Sequence, residues 1–203
     1  SFLLAADALS AQTIYVNSST GNDATGNGTI GNPYKTFYKG YTMAASGNTI
    51  DLTGTFTWTD ADETGDAQYL GFTISKNLTI QGQGPGNTIV QAHSSALSAD
   101  RRVFNISNGN TVTFRNLMLR HGKSWSGWIN TTYYNYHGGA IGSAYGSSTG
   151  VNLTLNNVYI STNFSDYGAG AGVYCEGTFY ATNCTFENNT SNSSLACALE
   201  LEF

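Results

Sequence analysis

Apolar and polar residues alternate at period 2 in four segments that align without gaps: NLTIQG (77–82), TVTFRN (111–116), NLTLNN (152–157) and TFYATN (178–183). Such alternation marks a strand with one buried face. The inward positions are Leu78 and Ile80, Val112 and Phe114, Leu153 and Leu155, then Phe179 and Ala181. Three segments end on Asn116, Asn157 and Asn183, and each runs into a second alternating stretch: Leu117 and Leu119, Val158 and Ile160, Cys184 and Phe186. A third strand precedes these units in RVFNISNGN (102–110), GGAIGSAYG (138–146) and GAGVYCEGT (170–178), with Ile141 and Val173 equivalent. Strand lengths stay constant while the turns vary. Three short parallel strands per coil, stacked coil on coil, predict an all-β fold: a right-handed parallel β-helix of about five or six coils. Asn at the bend suits left-handed backbone, and stacked Asn side chains hydrogen-bond one another.

Upstream, GNTIDLTG (47–54) and FTISKNLTIQGQGPGNTIVQA (72–92) read as earlier coils. Between 32 and 45 the period changes. Asn32 as cap and Pro33 in the first turn predict a short helix with Phe37, Tyr41 and Ala44 on one face, covering the N-terminal end of the stack. The organisation expected is therefore residues 1–11 as a signal remnant or N-terminal strand, 12–46 as a cap, and 47–203 as coils. The final SLACALELEF alternates strictly, with Leu195, Cys197, Leu199, Leu201 and Phe203 on one side. It reads as a strand without a polar cap after it.

Charged residues make up only 10% of the 203, and the net charge of −5 argues against a nucleic-acid surface. No apolar run approaches the roughly 18 residues of a membrane span. Glycine, tyrosine and phenylalanine are abundant (24, 13 and 10 residues) and proline is scarce (2), as in a turn-rich β-protein. Residues 1–11 carry small residues at plausible cleavage positions, so the chain is expected to be secreted, at the cell surface or beyond. Asn-X-Ser/Thr sequons are dense. Asn17, Asn77, Asn105, Asn130, Asn163 and Asn183 are candidate glycosylation sites. The cysteines, Cys175, Cys184 and Cys197, lack metal-ligand spacing and read as small buried hydrophobes.

GGAI (138–141), GAGV (170–173) and FENN (186–189) resemble the GGAI and FxxN repeats of polymorphic outer-membrane-type β-helix proteins. The stretch from Ile14 through GNTIDLTGTFTWTDADETGD is similar to the opening of secreted, pectate-lyase-like bacterial surface proteins. The resemblance runs from about Thr13 to Asn189 and implies a surface location and a β-helix. It does not specify an activity, since this superfold hosts lyases, hydrolases, adhesins and passive stalks.

Three candidate sites stand out. Asp60, Asp62, Glu63 and Asp66 place four carboxylates on one predicted loop; it reads first as a solvated acidic turn, and second as a donor set that suits Ca²⁺ as cofactor. The insertion 121–139 carries Trp125, Trp128, Tyr133, Tyr134 and Tyr136, a stacking platform for sugar rings or a loop packed over a coil. Phe2, Leu3 and Leu4 are placed to add as a strand to the edge formed by Leu195, Leu199, Leu201 and Phe203 of a second copy. Arg101, Arg102, Arg115, Arg120 and Lys123 are candidate bases for lyase chemistry, but no two carboxylates occupy equivalent positions of adjacent strands. A row of Thr79, Thr113 and Thr154 reflects ordinary strand propensity. The function expected is an extracellular structural or adhesive protein, with copies of itself or surface glycans as partners. The rivals are a carbohydrate-binding or polysaccharide-cleaving protein, or a fragment of a larger adhesin.

Overall fold

A computed structural model describes residues 11–129, 132–135, 137–143, 149–166, 168–192 and 197–202. The chain begins with β1 (Thr13–Asn17), α1 (Phe37–Met43), β2 (Thr49–Thr57), β3 (Asp66–Ala67), β4 (Gly71–Ile74), β5 (Leu78–Gln81) and β6 (Thr88–Gln91). It continues through β7 (Phe104–Ile106), β8 (Thr111–Arg120), β9 (Lys123–Ile129), β10 (Thr132–Asn135), β11 (Ile141–Ser143) and β12 (Val151–Ser161). The last strands are β13 (Phe164–Asp166), β14 (Val173–Thr182), β15 (Thr185–Glu187), β16 (Thr190–Ser191) and β17 (Leu199–Glu202). The protein is all-β, with one short helix among the described residues. Thirteen strands share one mixed, mostly parallel sheet, and β10, β9, β13 and β16 form a second sheet of four.

The aligned segments pair in the expected register. Ile14, Ile50, Ile80, Phe114, Leu155 and Ala181 are successive partners across β1, β2, β5, β8, β12 and β14. A second inward row runs Phe56, Val90, Leu119, Ile160 and Phe186. A third runs Phe72, Phe104, Ile141, Val173 and Leu199. Apart from Ala181, which is exposed although its alternation placed it inward, these rows meet in one hydrophobic cluster, with Phe37, Trp58, Phe72 and Phe104 as mutually contacting rings.

Strands β8 and β12 are long because each turns a corner without losing its ladder. Asn116, Asn157 and Asn183 hold φ of 56°, 54° and 55°, the left-handed region that Asn tolerates best among residues with a side chain. Asn157 Nδ2 donates to Asn116 Oδ1 at 3.0 Å. A second corner repeats the geometry at His121, Thr162 and Asn188, with φ of 56°, 53° and 55°. That corner has no residue type in common, which is why the sequence pattern does not announce it.

The helix starts later than its sequence pattern suggests. Thr36, not Asn32, is the N-cap, its Oγ1 accepting from Lys39 N at 3.0 Å. Tyr34 is buried and bridges Val16 in extended conformation, so Pro33 stays outside the helix. Phe37 and Ala44 are buried and Tyr41 packs on the core, as expected of the apolar face. Lys76 Nζ closes the other end by donating to the carbonyls of Tyr41 and Ala44, at 2.8 and 2.9 Å. Residues 13–17, placed by pattern in the cap, are already the first strand of the parallel ladder.

Two further expectations change. The long insertion is not a loop: β9 and β10 form an antiparallel hairpin in which Trp128 is the register partner of Tyr133. Of the cysteines, only Cys175 is buried, and burial pushes its thiol up to about 11; Cys184 is half-buried and Cys197 exposed. Strand β17 lies within the final alternating segment and extends the third row, pairing Val173 with Leu199 and Cys175 with Leu201.

Candidate functional site

The acidic run of 60–66 is dispersed by the fold rather than gathered. Glu63 is buried, and its carboxylate accepts from Phe37 N at 2.8 Å and Tyr38 N at 3.2 Å, the first free donors of α1. Asp62 pairs with Lys35, and Asp66 pairs with Arg101. Asp60 is exposed. Among the described residues no group of three or more His, Cys, Asp or Glu side chains is arranged to hold a metal ion. The Ca²⁺ expectation for Asp60, Asp62, Glu63 and Asp66 therefore does not fit: two of the four are committed to a helix terminus and to an arginine. Beside them lies a polar cleft of about 410 Å³ lined by Ser19, Gly21, Asn22, Asp23, Lys35 and Asp62. Asp23 is also structural, accepting from Lys35 N, Thr36 N and Thr36 Oγ1 at 2.7, 3.1 and 2.6 Å.

Electrostatics follow these contacts. Burial pushes the Glu63 carboxyl up to about 7, opposed by the Phe37 and Tyr38 N–H groups and reinforced by the negative charges of Asp23 and Asp60. The hydrogen bond from Arg101 holds Asp100 below the usual carboxylate range, and Arg101 is raised in return.

A different face gathers aromatic and charged groups that lie far apart in sequence. Trp125 stacks on Tyr69 with ring centroids 4.8 Å apart and planes 27° apart, and both residues are half-buried. Tyr69 has φ of 69°, an uncommon conformation for an aromatic residue, and is tied down by Tyr69 N donating to Asp100 O at 2.9 Å. On β9 and β13, Lys123 is the register partner of Phe164 and Trp125 that of Asp166. Lys123 Nζ lies 3.8 Å from Asp166 Oδ2 and 5.4 Å from the Phe164 ring centroid. Asn192 Nδ2 donates to Asp166 Oδ1 at 3.1 Å. Beneath the face Ser124 and Ser165 are fully buried and bonded to each other, Oγ to Oγ at 2.9 Å, so the two strands meet closely.

Of the five expected platform aromatics, Trp125 is thus placed against the body of the fold. Trp128, Tyr133 and Tyr134 occupy hairpin positions, and Tyr136 lies outside the described residues. Tyr69, Asp166 and Asn192 are the additions that sequence reasoning missed. Tyr69 carries no periodic signature, and Asp166 and Asn192 stand beside Trp125 and Lys123 only once the corners are known. Of the strand-addition residues, Leu199 and Leu201 pack on the core within β17, while Phe2, Leu3, Leu4, Leu195 and Phe203 lie outside the described residues.

The sequons divide in the same way. Asn77 and Asn183 are exposed. Asn17 is half-buried, with its Oδ1 accepting from Ser19 N and Thr20 N. Asn105 is half-buried and donates to Thr73 Oγ1 at 3.3 Å; Asn130 lies outside the described residues. Asn163 is excluded as a glycan acceptor. It is 1% exposed, its Nδ2 donates to Asn189 Oδ1 at 2.9 Å and to Ser161 O at 3.1 Å, and its Oδ1 accepts from Gly122 N at 2.8 Å. Among the described residues no helix is long and apolar enough to cross a membrane.

No family model and no curated protein matches the chain. Among solved structures, the GH136 lacto-N-biosidase from Eubacterium ramulus is similar over 87% of this chain, at 16% identity and a TM-score of 0.47. The match covers 34% of that protein's length, and a likeness so distant carries no argument about fold or activity.

Proposed function

We propose that the chain is a right-handed parallel β-helix of the secreted surface type, serving as an extracellular structural and adhesive element that contacts surface glycans through the Tyr69–Trp125 face. The stacked aromatic pair carries this reading. Its rings are half-exposed, held by a left-handed Tyr69 backbone, and edged by Lys123 and Asp166. Aromatic faces with polar groups at their margin suit pyranose rings, and a rigid strand scaffold reduces the ordering cost of binding. The β-helix reading is supported by three parallel inward rows and by corners that recur at equivalent positions. Right-handedness follows the general rule for parallel crossovers. The GGAI and FENN repeats support the surface-protein type. The test is retention of the purified chain on immobilised glycans. Retention that falls sharply in Trp125→Ala, with the fold intact by circular dichroism, is expected; equal retention of both proteins contradicts the reading.

Head-to-tail association is a second reading, favoured by the edge at β14 and β15. There Tyr180 is 65% exposed, and Phe179 and Phe186 are only partly covered. Parallel addition of an apolar strand from another copy would continue the ladder and, being heterologous, would extend into filaments. Sedimentation velocity tests it. Concentration-dependent growth that Tyr180→Lys suppresses supports association, and a single monomeric species at all concentrations refutes it.

A further inference from the structure

The charge pattern around Trp125 points to uncharged glycans, rather than uronate-containing or sulfated ones, as the class this face accepts; the inference rests on the glycan reading above. Both cations on the face are already answered. Arg101, which bridges Tyr69 and accepts at its carbonyl from Lys123 N at 2.7 Å, is held between Asp66 and Asp100, with its Nε donating to Asp100 Oδ1 at 2.7 Å. Lys123 sits beside Asp166. Two cations therefore meet three carboxylates among these described residues, so the face offers an anionic sugar no surplus positive charge. A ligand carboxylate drawn toward Trp125 would instead approach Asp166, the register partner of that tryptophan, and like charges brought together without compensation oppose binding.

The same pair is well suited to a hydroxyl. At 3.8 Å, Lys123 Nζ and Asp166 Oδ2 are too far apart for a direct hydrogen bond. Asp166 Oδ1 is occupied by Asn192 Nδ2, which fixes the carboxylate and leaves Oδ2 as the acceptor facing Lys123. A sugar hydroxyl is both donor and acceptor. Seated at this gap, it donates to Asp166 Oδ2 and accepts from Lys123 Nζ, making two charge-assisted bonds to one uncharged group. Trp125, adjacent to Asp166 on the neighbouring strand, supplies the apolar surface for the ring that carries that hydroxyl. Asp166 and Lys123 are thus binding residues that set the charge class of the ligand, and Asn192 positions Asp166.

The experiment is calorimetric titration with matched pairs that differ only in oxidation at C6: α-1,4-galactotetraose and tetragalacturonate, β-1,4-mannotetraose and tetramannuronate, cellotetraose and tetraglucuronate. The expected result is that at least one neutral member binds about tenfold or more tightly than its uronate partner. Asp166→Asn, which keeps the shape and the contact with Asn192, is expected to weaken the neutral ligand and to narrow that gap. Lys123→Met is expected to weaken the neutral ligand as well. If a uronate binds more tightly than its neutral partner, and Trp125→Ala abolishes that binding, the glycan face stands and the assignment of charge class is overturned. If binding is neutral-selective but unaffected by Asp166→Asn and Lys123→Met, the assigned residues are wrong. If no pair binds, or binding ignores Trp125→Ala, the glycan face itself falls, and this inference with it.

Discussion

At the residue scale, the same letters serve opposite purposes depending on where the fold sets them. Asn116, Asn157 and Asn183 were readable as corner residues because they recur after aligned strands. Asn163 was not, since Asn-Phe-Ser reads as a sequon, whereas the fold commits both the Oδ1 and the Nδ2 of its side chain inside the corner. Asn163→Ala leaves Gly122 N without its acceptor, while Asn189 Oδ1 keeps only the bond from the residue 163 backbone N–H. It is expected to lower stability by about 1–3 kcal/mol in urea denaturation. Produced in a glycosylating host, the protein should carry no glycan at Asn163 by mass spectrometry. Glu63 makes a similar point, because a run of acids reads as a solvated loop when its partners are backbone N–H groups on a distant helix. With the folded carboxyl at about 7 and the unfolded one near 4.5, the folded state binds the proton more tightly. Its stability contribution is full below about pH 4.5 and is lost as pH rises through about 7, a difference on the order of 3 kcal/mol. Glu63→Gln should flatten the stability profile between those limits; an unchanged slope would show that another group sets it.

At the element scale, strands were more legible than their ends. Period 2 survives tertiary packing because each inward residue touches its register partners, so the rows through Ile80, Phe114 and Leu155 follow directly from alignment. The helix boundary moved because a tertiary contact, the Tyr34–Val16 bridge, overrides the local preference of Asn-Pro for a helix start. The hairpin β9–β10 was hidden because its aromatic-rich strands lack clean alternation. The corner at Asn157 provides the sharpest test of an element. Asn157→Ala, forced to φ near 54°, is expected to cost about 1–2 kcal/mol, with Asn157→Gly close to neutral. Equal losses for both would assign the cost to the Asn116 hydrogen bond instead.

At the scale of the whole molecule, one buried cluster runs from β1 to β17, so core damage in the middle should be felt throughout. Phe114 is fully buried between Ile80 and Leu155 and contacts Phe104 from another row. Phe114→Ala is expected to cost about 3–5 kcal/mol. Thermal unfolding followed separately by far-ultraviolet dichroism and tryptophan fluorescence should then shift together. The candidate site was only partly legible at this scale. Trp125 and Lys123 were apparent as residues worth naming, but Tyr69, Asp166 and Asn192 join them only through the lateral pairing of β9, β13 and β16.

The glycan face is tested most directly by the three indole N–H resonances of the intact chain, from Trp58, Trp125 and Trp128, during titration with the neutral tetrasaccharides. Trp58 is an internal control: it is buried, and its Nε1 donates to Val103 O at 2.7 Å. A saturable shift of the resonance that disappears in Trp125→Ala, with the Trp58 signal unmoved, is the predicted result. A Trp125 resonance that stays fixed with every glycan, or one that moves no more than that of Trp58, would contradict it.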